Sequence, residues 1–269
     1  MRMSLGKPRR TLLLSALLLC LTAPLAAQDT ATTSQNADAS VSDRVVSPEA
    51  QAVLDRMTTY LRGLQRFSVE SDATRDEVVA YGYKLQNNEH STMIVERPNH
   101  IRVDLSGDIR NRSFLYNGKS FVMYSPDDKA YIDVPATDNL GQLIGGLLDA
   151  GVEMPLIDVL YQSVQGTLTE TVKGGILVGE STVNGVLCEQ LAFRQSNVDW
   201  QLWVEKGARP LPRKVVITTR YQVGDPQYQS IMTWNLKPKI DKSTFTFTPP
   251  KDVEEIPFVD AAAVQDGNN

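Results

Sequence analysis

Side chains able to do covalent or metal chemistry are few in this 269-residue chain, which has two histidines and two cysteines. His90 lies in the polar run NNEHS and His100 follows Pro98, and neither has a second His or a Cys at zinc-ligand spacing. A cysteine nucleophile needs a neighbouring base or cation to hold it as thiolate, yet Cys188 alternates with Leu187 and Glu189 in a strand-like run. The pattern reads as a small buried hydrophobe. The acid pairs Asp76-Glu77, Asp127-Asp128 and Glu254-Glu255 fall in polar turns or near the end of the chain, where hydration explains them; opposed catalytic carboxylates need a cleft between them. Gly118-Lys119-Ser120 resembles the end of a phosphate loop, but Ser113 stands where the first glycine is required. Neither a Gly-x-Ser-x-Gly elbow nor a His-Glu-x-x-His pair is present. The sequence therefore names no reaction, no metal and no cofactor.

The elements that would position a site begin after an export signal. Arg2, Lys7, Arg9 and Arg10 precede the apolar run Leu12 to Leu21, which ends in small residues and is shorter than the roughly 20 residues of a membrane span. Residues 1–27 read as a signal peptide cleaved after Ala27, which places the mature chain in the periplasm without a transmembrane span. The alternatives are an uncleaved anchor, suggested by the bulky Leu25, and lipidation of Cys20, which Leu19 disfavours. Loss of residues 1–27 removes four cations and no acid, taking the net charge from −5 to about −9. So acidic a chain lacks the basic patch that nucleic acid or an anionic leaflet requires. One cysteine remains, so no internal disulfide forms and a hydrophobic core must hold the fold.

Residues 28–46 are polar and aperiodic, a disordered leader. Ser47-Pro48-Glu49 is a helix start, and Val53, Met57, Tyr60, Leu61, Leu64 and Phe67 follow at helical spacing. From Phe67 the period falls to two. VVAYGYKL, STMIVERP, HIRVDLSG, SFLYNG, KSFVMYSP and KAYIDVP read as strands, with a hairpin turn at Asn117-Gly118. Residues 138–161 return to helical spacing, with Asp138 as candidate cap and Leu140, Leu143, Ile144, Leu147 and Leu148 on one stripe. A second short helix is expected near Met154-Pro155, and the glycines of this segment suit a movable lid. Strands resume at ILVGESTV, turn at Asn184-Gly185, and continue through VLCEQLAFRQ, VDWQLWVEKG, LPRKVVITTRY and YQSIMTWNLKP to TFTFTPP. The fold class is α+β, mainly β: about eleven antiparallel strands in one curved sheet around helices. A single domain over 47–250 and a flexible tail over 251–269 complete the layout.

The run VERPNHIRVDLSGDIRNRSFLYNGKSFVMYSPDDKAYIDVP, followed by MPLIDVL, resembles the core of domain-of-unknown-function family 2092, predicted periplasmic proteins. Arg97-Pro98, Tyr116-Asn117-Gly118-Lys119 and Pro155 carry that likeness over most of residues 48–250. DWQLWVEKGARPLPRKVVIT is similar, more loosely, to the strand-turn-strand of the LolA, LolB and LppX lipoprotein-carrier superfamily. The resemblance implies an incomplete barrel plugged by helices, with an apolar cavity for acyl chains. Adaptable methionines and aromatics suit such guests. The candidate cavity residues are Phe121, Met123, Leu140, Leu143, Ile144, Leu147, Trp200, Leu202, Met232 and Trp234, whose alternative role is plain core between sheet and helices. Three functions follow. The first is carriage of a lipid or other hydrophobic molecule; the second is an envelope sensor or protein-binding scaffold resembling RseB-type regulators; the third is a hydrolase whose site would use a carboxylate such as Asp133.

Overall fold

The computed structural model describes residues 45–149, Ile157, Tyr161 and 168–257. The proposed signal peptide, most of the leader, the helix expected near Met154-Pro155 and the end of the chain lie outside these residues.

Helix α1 (Pro48–Gly63) starts where the sequence places it. Ser47 is extended and its Oγ accepts the Ala50 N–H at 3.2 Å, while Pro48 occupies a position that needs no donor. Ala50, Val53, Leu54, Met57 and Leu61 form its buried face. Twelve strands follow: β1 (Arg66–Val78), β2 (Lys84–Glu96), β3 (His100–Gly107), β4 (Arg112–Tyr116), β5 (Ser120–Ser125), β6 (Ala130–Pro135), then, after helix α2 (Leu140–Asp149), β7 (Gly174–Val183), β8 (Val186–Arg194), β9 (Val198–Glu205), β10 (Pro212–Thr219), β11 (Gln227–Asn235) and β12 (Glu254–Glu255). They make one sheet in the order β12-β6-β5-β4-β3-β2-β1-β11-β10-β9-β8-β7. Every pair is antiparallel except β12 on β6. The sheet is curved and does not close.

This order explains the helices. Two meanders meet at β1 and β11, so β6 lies next to one border of the sheet and β7 forms the other. The connection between them must cross the whole sheet. Of its described residues, Leu140, Ile144, Ile157, Leu168 and Val172 share a single core with α1 and the inward strand residues, on one face. Register builds that inner face. Phe67 pairs with Val95, Val95 with Ile101, Ile101 with Tyr116 and Tyr116 with Phe121; the next row runs Trp234, Val69, Met93, Val103, Phe114, Met123. The outer face carries a smaller cluster of Val183, Cys188, Trp203 and Val216, with the Lys214 ammonium 4.8 Å from the Trp203 ring centre.

Both borders are covered by short segments. Ser47 N–H donates to Gly175 O and Gly175 N–H to Val45 O, each at 2.9 Å, so the chain before α1 pairs with β7. At the far border Glu254 N–H bonds Lys129 O and Ile256 N–H bonds Tyr131 O. These segments cover only the ends of the borders, at Gly175 of β7 and at Ala130 and Tyr131 of β6. The stretch assigned to a tail from Lys251 thus includes two residues of sheet, and 258–269 lie outside the described residues.

Three local expectations are corrected. VVAYGYKL is the turn of the first hairpin, not a strand: Tyr81 and Gly82 adopt positive φ of 64° and 77°, and the true strand precedes it. TFTFTPP is turn and irregular chain; just before it Asp241 accepts the Ser243 and Thr244 amides, which competes with a ladder. Asn184-Gly185 has the two positive φ values of a tight hairpin, whereas at Asn117-Gly118 only Gly118 does. There the Asn117 Oδ1 accepts from Lys119 and Ser120 N–H, so the side chain closes the turn.

The inner face includes a buried pair of hydroxyls. Ser71 and Ser230 are fully buried with their hydroxyls 2.6 Å apart. Ser71→Ala is expected to cost about 1–3 kcal/mol because Ser230 loses its partner, while the double alanine variant should be nearly neutral. Urea denaturation of the four-member cycle reads this coupling. The neighbouring Tyr228 hydroxyl is buried with no hydrogen-bond partner among the described residues; the two serines lie close enough to temper its environment without completing a bond of good geometry. Burial, then the Glu89 charge, push its pKa up to about 12. The unfolded phenol ionises first, near its ordinary pKa of 10, so this contribution is whole below pH 10 and declines by roughly 2 kcal/mol as pH rises to 12. Tyr228→Phe should flatten that decline without loss of stability at pH 7, as denaturation at stepped pH will show.

Candidate ligand cleft

Where α2 crosses β1, β2 and β3, sheet and helix do not meet fully. A half-open cleft of about 430 Å³ remains, within the range of roughly 300–1,000 Å³ typical of small-molecule sites. Its floor is Phe67 from β1, Met93 and Val95 from β2 and Ile101 from β3, inward-facing by strand alternation. Its roof is Leu140, Gly141 and Ile144 from α2 with Ile157 and Tyr161 beyond. Floor and roof are largely apolar. Besides Tyr161 in the roof, the polar lining residues are Gln65, Arg97, Asp138 and Asn139 at the mouth.

The roof is set by local chemistry. Asn139, not Asp138, caps α2, with its Oδ1 accepting the Gln142 N–H at 3.1 Å. Just before it, the buried Tyr116 hydroxyl donates to Thr137 O and ties the start of the crossing to the sheet. Burial, aided by the Asp138 charge, raises the Tyr116 pKa, so the phenol stays a neutral donor. Gly145 permits a close approach: a Cβ there would lie 3.0 Å from the Tyr161 hydroxyl.

Arg97 follows β2 and continues its inward side. Nε donates to Leu64 O at 2.9 Å and its backbone N–H to Gln65 O, fastening the end of α1 beside the cleft. Burial lowers its pKa from the ordinary value, so the guanidinium is partly stripped of water.

The ten sequence-selected residues all belong to the inner-face core or pack against it, but they divide in two. Leu140 and Ile144 line the cleft. Phe121, Met123, Leu143, Leu147, Trp200, Leu202, Met232 and Trp234 do not. Phe121 stacks on Phe114 at 6.3 Å between ring centres and Trp200 on Phe193 at 4.0 Å. Trp234 lies 5.4 Å from Phe67 and its indole donates to Pro212 O at 2.7 Å. The side chain of Leu148 lies outside the described residues. Sequence reasoning missed Phe67, placed on the helical stripe although α1 ends at Gly63 and Phe67 lies in β1; Met93, Val95 and Ile101, whose alternation was legible; and Arg97, noted only within the Arg97-Pro98 motif.

Chemistry elsewhere is sparse. Among the described residues no group of three or more His, Cys, Asp or Glu is placed to hold a metal. His90 bonds Asp72 at 2.8 Å on the surface, and His100 packs on Phe245. Cys188 is fully buried, and burial raises its pKa, so it stays a thiol. No helix of the described residues is long and apolar enough to cross a membrane.

No curated protein matches the chain. Among solved structures it is similar to LprF from Mycobacterium bovis (12% identity, 78% of this chain and 100% of that one, TM-score 0.45). It is also similar to the lipoprotein LppX from Mycobacterium tuberculosis (12%, 72% and 99%, 0.46) and to an uncharacterized conserved protein from Thermus thermophilus (13%, 77% and 98%, 0.44). The model of the family described as predicted periplasmic protein, DUF2092, matches residues 50–259, and the chain belongs to that family.

Proposed function

We propose that this protein is exported through residues 1–27 and binds or carries a lipid or other hydrophobic molecule, without catalysis, in the cleft between the inner face and α2. One observation carries the reading: a half-open cleft of about 430 Å³, with a largely apolar floor and roof, lies between the inner face of the sheet and α2. Apolar walls that a half-open cleft leaves in contact with water gain free energy when a hydrophobic guest covers them. Each buried methylene of a guest contributes about 0.8 kcal/mol, enough for useful affinity without a polar contact. Leu140 and Ile144 touch the guest; the other eight core residues hold the walls in place. Native mass spectrometry of protein isolated from periplasm, before and after delipidation, tests the reading. A mass difference matching a hydrophobic molecule is expected. Identical masses, together with no uptake of a fluorescent fatty acid by the delipidated protein, overturn it.

A further inference from the structure

The mouth of the cleft is asymmetric in a way the apolar walls do not explain. Arg66, Arg102, Arg112, Arg194 and Arg213 each hold a carboxylate at ion-pair distance. Arg97 holds none among the described residues, although it is half-buried and partly desolvated. Its hydrogen bonding among those residues stops at Nε, which reaches Leu64 O, so the two terminal nitrogens have no protein acceptor there. A planar guanidinium with its terminal pair open is a fork that fits a carboxylate through two parallel bonds. A burial cost left uncompensated by the protein is what a ligand group would offset.

Resting on the carrier reading, we propose that the guest is an amphiphile of the fatty-acid class, its chain in the cleft and its single carboxylate on the terminal nitrogens of Arg97. Asp138, on the same mouth, is exposed and hydrated, so it weakens the local positive potential without cancelling it and disfavours a doubly charged head. At the α2 terminus Asn139 already occupies the Gln142 N–H. Gln65 and Asn139 are left to bond the outer lone pairs of the carboxylate.

The test uses the delipidated full chain with cis-parinaric acid and its methyl ester, read by fluorescence, then displacement by hexadecanoate, hexadecanol and hexadecyl phosphate. Native protein should bind the acid roughly ten- to a hundredfold more tightly than the ester, the size expected of a charge-assisted pair. Arg97→Gln should bring the acid down to the ester's affinity, so that the acid-to-ester ratio falls to about one. Arg97→Lys, which keeps charge but not the fork, should fall between. Because Arg97 also fastens α1, thermal unfolding of each variant is measured alongside, and the acid-to-ester ratio in native protein needs no variant. Equal affinity for acid and ester, or an equal loss of both in Arg97→Gln, overturns the headgroup assignment and leaves hydrophobic carriage standing. Stronger displacement by hexadecyl phosphate than by hexadecanoate overturns the carboxylate in favour of phosphate. Binding of neither probe overturns carriage itself.

Discussion

Ile144→Trp is expected to abolish uptake of an apolar probe while the protein stays folded. Ile144 projects from α2 into the cleft and is itself 6% exposed, so a larger side chain there extends into the open volume. A guest that loses about five buried methylenes, at about 0.8 kcal/mol each, binds roughly a thousandfold more weakly. Overpacking a filled core costs about 1–3 kcal/mol, and free space beside Ile144 should keep the cost at the low end. Fluorescence titration with cis-parinaric acid gives the affinity and circular dichroism the melting temperature. Tight binding by this variant would mean the guest sits elsewhere.

Phe121→Ala should behave in the opposite way. Phe121 is 2% exposed, stacks on Phe114 and sits in the row that runs through Tyr116 and Ile101 to Phe67. Removing a buried ring costs about 3–5 kcal/mol, a large part of the roughly 5–15 kcal/mol that holds a domain. Urea unfolding should record that loss. Affinity for the probe, measured well below the new midpoint, should change less than about threefold, since Phe121 does not line the cleft. A strong loss of affinity with little loss of stability would show that the guest reaches β5.

The pair of variants marks where sequence reading succeeded and where it stopped. Local signals were sufficient for α1, because Ser47 and Pro48 satisfy the helix end themselves, and for Asn184-Gly185, whose conformation few other residues adopt. They failed at β1, where Ser71 and Ala73 face inward among outward charges and the alternation is chemically faint. They failed again at β12, two residues held by backbone bonds to β6 that no side-chain pattern announces. The inner face as a surface was legible from Phe121, Trp200, Leu202 and Met232. Which part of it stays open was not. That depends on β1 meeting β11 across more than 150 residues and on how α2 lies over β1, β2 and β3, both set by register and packing. Arg97 illustrates the same limit: its meaning comes from Leu64 and from the empty volume beside it, neither adjacent in sequence.

The most direct measurement is photocrosslinking of the delipidated protein with a diazirine-bearing hexadecanoate, followed by peptide mapping of the adducts. The account predicts adducts on Met93, Val95, Ile101 and Ile144, competed away by unlabelled hexadecanoate. Adducts confined to outer-face residues such as Val183, Trp203 or Val216, or adducts that no competitor reduces, would contradict it.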